Sequence, residues 1–178
     1  YLMHVDWNWI KQRPHFLAEE LSKHFKIVAI CKSGRGKTNM VDNKTGMFES
    51  LSLPNIPLQR FKLMRRLNRL LGKRTVKSAL GRIRPDYLWV THPALIDIIP
   101  KNLNCRVVYD CMDDALGFKP TRDIDPAKML EFEKRLIRIS DHVFCSSTRL
   151  AKLISTREPC EGKLTLARNA FGGDILVA

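Results

Sequence analysis

The chain has 178 residues, 44% of them hydrophobic, enough for one full domain core and too many for a disordered chain. No apolar run reaches the length of a membrane span, and no signal-peptide pattern opens the sequence. The formal charge is +13, but ten Lys and Arg with no acid fall within residues 60–84; the other 21 nearly balance the 18 acids, so the basicity is one patch.

Apolar runs alternate with helical patterns. YLMHV (1–5) predicts a first strand. A helix follows, with Pro14 at its first position, where a missing N–H costs nothing. Leu17, Ala18 and Leu21 form its inner face; Glu19 and Glu20 are read toward its start and Lys23 and His24 at its end. FKIVAIC (25–31) reads as a buried strand and GMFESLSL (46–53) as one nearer an edge. The basic segment 60–84 reads as a helix, broken at Gly72. DYLWVTH (86–92) is a strand, followed by a short helix up to Pro100, and CRVVYD (105–110) is another buried strand. Asp125 and Pro126 cap a helix whose Met129, Phe132, Leu136 and Ile139 recur at helical spacing and should face the core. DHVFCSS (141–147) is a strand whose serines cap the helix TRLAKLI. KLTLA (163–167) is the last strand. This order predicts an α/β domain built on a mostly parallel sheet with helices on both faces.

The cysteines, Cys31, Cys105, Cys111, Cys145 and Cys160, are odd in number and form no CxxC pair. They read as free, mostly buried thiols of a reducing compartment, which predicts a cytoplasmic protein. No metal-ligand spacing occurs, and no metal is expected. The first loop lacks GxGxxG, which argues against a dinucleotide cofactor. CKSGRGKT (31–38) ends like a phosphate-binding loop but has Cys31 where the first glycine belongs, and reads as a basic loop.

Parallel sheets bind ligands beyond the carboxyl ends of their strands. That rule gathers Asp6, Trp7, Trp9 and Arg13 from the first loop, His92 after the fourth strand, Asp110, Asp113 and Asp114 after the fifth, and Asn169 after the last. Two roles fit the tryptophans: stacking on a sugar or another flat ligand, or plugging the helix onto the sheet. Three carboxylates in DCMDD (110–114) repel one another unless a ligand, a cation, Arg13 or a helix N-terminus offsets them. His92 fits either a structural or a functional role.

Five stretches resemble, in order, the bacterial group 1 (family 4-like) glycosyltransferases: DWNWIKQRPHFLAEELSK, RPDYLWVTHP, VVYDCMDD, SDHVFCSSTRLAKL and LARNAF. The resemblance covers residues 1–171. It implies the N-terminal half of a GT-B architecture, a Rossmann-like three-layer α/β/α sandwich that holds the acceptor. Residues 172–178 would then begin a linker to a C-terminal domain that holds the nucleotide-diphosphate sugar donor. The implied activity is sugar transfer, with retention, to a glycan or lipid-linked acceptor in cell-surface polysaccharide synthesis; residues 1–178 alone would be inactive. Many relatives carry a histidine in the loop after the fifth strand, where this chain has Met112, so Asp113 and His92 are the candidate catalytic residues. Asp6, Trp7, Trp9, Arg13, Asp110, Asp114 and Asn169 are the candidate substrate-binding set.

In the basic segment, Phe61, Met64, Leu67 and Leu71, widened by Leu63 and Leu70, predict an apolar stripe. Arg65, Arg66, Arg69, Lys73 and Arg74 then become candidates to face an anionic membrane surface on the cytoplasmic side; the alternative is that the stripe packs on the sheet. Two rival functions remain from the sequence: a basic nucleic-acid-binding module, against which no helix-turn-helix, zinc finger or RNP-like pattern is present, and a non-catalytic nucleotide-sugar-binding domain.

Overall fold

The computed structural model describes residues 1–7, 10–32, 48–57, 60–117 and 125–169. Trp9, the basic loop beyond Lys32 and the expected linker at 172–178 lie outside the described residues. The architecture is α/β with two all-parallel sheets. β1 (Ile27–Lys32) pairs with β2 (Phe48–Leu53). β3 (Tyr87–Val90), β4 (Arg106–Cys111), β5 (His142–Cys145) and β6 (Leu164–Leu166) pair in that order.

The N-terminal segment links the two sheets. Leu2 makes parallel bridges to Ile30 of β1 and to Val90 of β3. Its N–H donates to the Trp89 carbonyl at 2.7 Å, and the Met3 N–H donates to the Ile30 carbonyl at 2.8 Å. The expected strand over 1–5 is therefore a short extended connector. It ends where the His4 N–H turns to the Thr91 hydroxyl at 3.3 Å instead of to a strand carbonyl. Across the molecule the order is β2, β1, Leu2, β3, β4, β5, β6. The chain order reverses between Leu2 and β3.

Alternation along these strands divides the apolar residues into two cores. Leu2, Ile30, Leu88, Val90, Val107 and Tyr109 pack with helical residues that include Val76, Phe132, Leu136 and Ile154. Tyr1, Met3, Ala29 and Cys31 pack with Ala18 and, partly buried, Trp7, Leu17 and Trp89. Leu2, Leu136 and Ile137 are fully buried, and each such side chain contributes about 1.5–3 kcal/mol by leaving water. All five cysteines are free thiols, four of them buried and Cys105 half-buried.

α1 spans Arg13–Leu21 and buries Pro14, His15 and Ala18. Because it ends at Leu21, Glu19 and Glu20 occupy its last turns and not its start, against the macrodipole preference. Each has a local cation instead: Lys11 with Glu19 at 2.7 Å and Lys23 with Glu20 at 2.6 Å. α2 spans Lys62–Ile83 without a break. Gly72 is there for close packing: a Cβ would sit 3.1 Å from Ile98 Cγ2 of the 3₁₀ helix Pro93–Ile98. The buried residues of α2 are Gly72, Val76 and Ala79; the expected stripe lies elsewhere, and Phe61, Leu63, Leu67 and Leu70 are exposed.

α3 (Pro126–Ile139) buries Phe132, Glu133, Leu136 and Ile137. Ile139 is exposed; at 100° per residue it lies about 90° around the helix from the middle of that stripe. Asp125 holds the N-cap position, but its side chain makes no cap hydrogen bond. α4 (Thr148–Arg157) starts at Ser147, whose hydroxyl accepts from the Leu150 N–H at 3.2 Å, as the sequence predicts. No helix among the described residues is long and apolar enough to cross a membrane.

Candidate functional site

A reversal of strand order leaves a crevice where the flanking connections diverge. Here that crevice is a cavity of about 1210 Å³. His4, Asp6, Thr91 and His92 line it from the two chain segments on either side of the reversal. Lys62, Arg65, Arg66 and Arg69 line it from the first turns of α2, and Met112, Asp113 and Lys128 from the β4 side.

The two histidines at its base are held differently. Thr91 is buried, and its hydroxyl donates to the Leu2 carbonyl at 3.4 Å. With that proton directed away, the Thr91 oxygen accepts from His4 Nδ1 at 2.9 Å, and Nε2 is the basic nitrogen of the neutral His4 ring. His92 is the N-cap of the 3₁₀ helix, and its Nδ1 accepts from the Ala94 N–H at 3.2 Å. Its neutral ring therefore carries the proton on Nε2 and acts as a donor. The rings are 4.8 Å apart, centroid to centroid.

The three carboxylates of DCMDD separate. Asp110 is buried and takes Arg13 in a two-pronged contact, from Nε at 3.2 Å and from Nη2 at 3.0 Å. Arg13 Nη1 donates in turn to Asn169 Oδ1 at 3.0 Å. Burial pushes the Asp110 carboxyl above its ordinary value and outweighs the opposing pull of Arg13. Asp114 accepts from Arg157 at 2.8 Å and from the Leu116 N–H at 3.1 Å. Partial burial would raise its carboxyl, but Arg157 and the backbone donors prevail and hold it below the usual value. Arg157 also donates to the buried Glu133 at 2.8 Å, and Glu133 accepts from the Tyr109 hydroxyl at 3.3 Å. Asp113 is exposed and faces the cavity. The Ser146 hydroxyl steadies its neighbour by donating to the Met112 carbonyl at 2.7 Å.

Trp7 does not line the cavity. Its ring lies 5.0 Å from that of His15 and joins the core around α1. That packing is the contact the plugging role requires. His15 is the fastener beneath it: Nδ1 accepts from the Gln12 N–H at 3.1 Å, and Nε2 donates to the Asp6 carbonyl at 3.2 Å. Arg13, Asp110, Asp114 and Asn169 are brought together with protein partners, while Asp6, His92 and Asp113 share the cavity.

Three of the five candidate membrane-facing cations, Arg65, Arg66 and Arg69, line the cavity. Arg69 pairs with Asp97 at 3.2 Å. Lys73 is exposed, and Arg74 borders a small separate hollow with Leu51 and Ser78. Sequence reasoning missed His4, Lys62 and Lys128 as cavity residues, and Glu133 and Arg157 as the partners of the acidic loop. The signal for His4 is that it ends an apolar run, as His92 does. Among the described residues no three His, Cys, Asp or Glu converge as a metal-ligand set. The chain matches no family model and no curated protein.

Proposed function

We propose that this chain is the N-terminal, acceptor-side domain of a GT-B glycosyltransferase, with a Rossmann-like three-layer sandwich as its fold. The observation that carries the reading is the cavity at the reversal of strand order, which collects two histidines and an exposed carboxylate from three different connections. Asp113 is the group that accepts a hydrogen bond from the attacking acceptor hydroxyl, and His92 donates to the transferred sugar through Nε2. The buried Arg13–Asp110 pair and the Arg157 network hold the loops that present them. The donor is a nucleotide-diphosphate sugar held mainly by a second lobe, so residues 1–178 alone turn nothing over. The acceptor is a glycan or lipid-linked saccharide, and the product feeds cell-surface polysaccharide synthesis in the cytoplasm.

Peripheral attachment to an anionic membrane surface fits the same reading. Phe61, Leu63, Leu67 and Leu70 are exposed beside Arg66, Lys73 and Arg74, the composition of an interfacial helix. A duplex-binding role is less well supported, because several α2 cations line a concavity instead of forming a stripe across a convex face.

The test uses the complete polypeptide, with its donor lobe, and a panel of nucleotide sugars, read by release of nucleoside diphosphate. Transfer from at least one donor is expected, and Asp113→Asn should lower kcat about a hundredfold, the lower end of the range for loss of a general acid or base, with the circular dichroism spectrum unchanged. A complete protein that consumes no sugar nucleotide, or a variant at the wild-type rate, would overturn the assignment.

A further inference from the structure

Lys62, Arg65, Arg66 and Arg69 sit in the first two turns of α2, which carry no acid in the first turn and no side-chain cap at Phe61. The positive end of a helix dipole disfavours cations there. The fold holds Arg69 through Asp97 and Arg65 through the Arg60 carbonyl, but packing gives no reason for Lys62 and Arg66, because the buried face of α2 begins only at Gly72. All four line the cavity, and Lys128 lines it too. Among the described residues the carboxylates on that lining are Asp6, Asp97 and Asp113, and Asp97 already pairs with Arg69. Among the described residues no acid lies within ion-pair distance of Lys62 or Arg66. The wall is also fixed in place: Asn68 accepts from the Ile56 N–H at 2.8 Å and donates to the Ile56 carbonyl at 2.9 Å, tying the chain after β2 to α2.

We propose that the α2 wall of this cavity is a subsite for a phosphate or diphosphate group on the acceptor. The proposal rests on the acceptor-side reading above and names the acceptor's chemistry. Among the described residues five cations face three carboxylates on the lining, an excess that a multiply charged anion neutralises. Arginine forks match phosphate oxygens in pairs, and lysine adds a point charge. The same hollow holds His4, His92 and Asp113, so the phosphate and the reactive hydroxyl belong to one molecule. At about 1210 Å³ the hollow exceeds the usual ligand pocket, with room for a saccharide beyond its phosphate. Two sources share this chemistry, a soluble sugar phosphate and a phosphate-linked lipid.

The probes are inorganic pyrophosphate and glucose 1-phosphate, titrated into the 178-residue chain at low salt by calorimetry, and phosphatidylcholine vesicles with and without phosphatidic acid. The chain should bind at least one phosphate probe, and Lys62→Gln with Arg66→Gln should weaken that binding about tenfold for each cation removed. Lys26→Gln with Lys152→Gln removes the same charge outside the cavity and outside the basic segment, and should leave it unchanged. Both double variants should match the wild type in denaturant midpoint, since these side chains are exposed. Variant-sensitive binding of glucose 1-phosphate assigns the soluble source; sensitivity confined to phosphatidic acid vesicles assigns the lipid. No binding to any probe, or equal loss in both double variants, overturns the subsite. In the complete protein, sugar transfer with KM for the acceptor unmoved by Lys62→Gln and Arg66→Gln would remove the subsite and leave the transferase reading standing. Phosphate binding that follows the variants, without any transfer, would do the reverse.

Discussion

The clamp around Asp110 and the wall along the first turns of α2 are both charge clusters, and they follow opposite rules. In the clamp every charge has a partner: Arg13 with Asp110 and Asn169, and nearby Arg157 with Glu133 and Asp114. Asp110 and Glu133 are wholly buried. In the wall, among the described residues, cations outnumber acids and border open space. Charge that is closed on itself is needed by the fold. Charge left in excess around a hollow is, on our proposal, matched by an anion from outside. The two should therefore separate in experiment, one through stability and the other through binding.

The largest effect is expected at Arg13. Arg13→Ala leaves Asp110 buried without its cation, and breaking a buried pair from one side costs about 3–5 kcal/mol. Urea unfolding of the chain, followed by circular dichroism, measures it. Pairing Arg13→Met with Asp110→Leu removes both charges at similar volume and should recover most of the loss. If Arg13→Ala unfolds at the wild-type midpoint, the clamp is no more structural than the wall, and the contrast between them fails.

Arg157 comes next. Arg157→Leu strands Glu133, with an expected loss of about 3 kcal/mol by the same argument. It also frees Asp114, and with it the loop that carries Asp113, so on the proposed transferase reading kcat of the complete protein should fall while the acceptor KM moves little. A loss below about 1 kcal/mol, the contribution of an exposed pair, would show that solvent reaches Glu133.

The parallel α/β arrangement was legible in the sequence because buried strands such as FKIVAIC and CRVVYD are short apolar runs between helical patterns. The division of labour among the acids was not. Arg13 and Asp110 are 97 residues apart, and nothing local tells Asp110, inside β4, from Asp113, two residues beyond its end. His4 was hidden for the same reason, since its partner Thr91 is 87 residues away. The apolar stripe of α2 stayed open between packing on the sheet and facing outward, because helical spacing does not say where a helix overhangs its sheet. Its leucines before Gly72 recur as core residues do, yet Leu63, Leu67 and Leu70 face solvent. The helix TRLAKLI was readable with its cap, because the capping serine is adjacent in sequence.

The smallest effect separates two acids four residues apart. Asp110 has a carboxyl raised by burial, and Asp114 has one lowered by Arg157 and backbone donors against the effect of partial burial. Their linkage to folding has opposite signs. Protons bind Asp110 more tightly in the folded chain, so its ionisation lowers stability as pH rises from the ordinary aspartate value, about 3.9, to its higher folded value. Asp114 binds protons less tightly when folded, so its contribution is complete above about pH 3.9 and fades as pH falls toward its folded value. Carboxyl carbon shifts, followed by NMR from neutral pH downward, should show Asp110 titrating first and Asp114 only below the ordinary range. In denaturation the destabilisation caused by Asp114→Asn should shrink as the pH is lowered through that range, because the wild type loses the same charge. Asp110 and Asp114 titrating together near the usual value would mean that neither carboxylate is held as the distances to Arg13 and Arg157 require, and the clamp would then be as open as the wall.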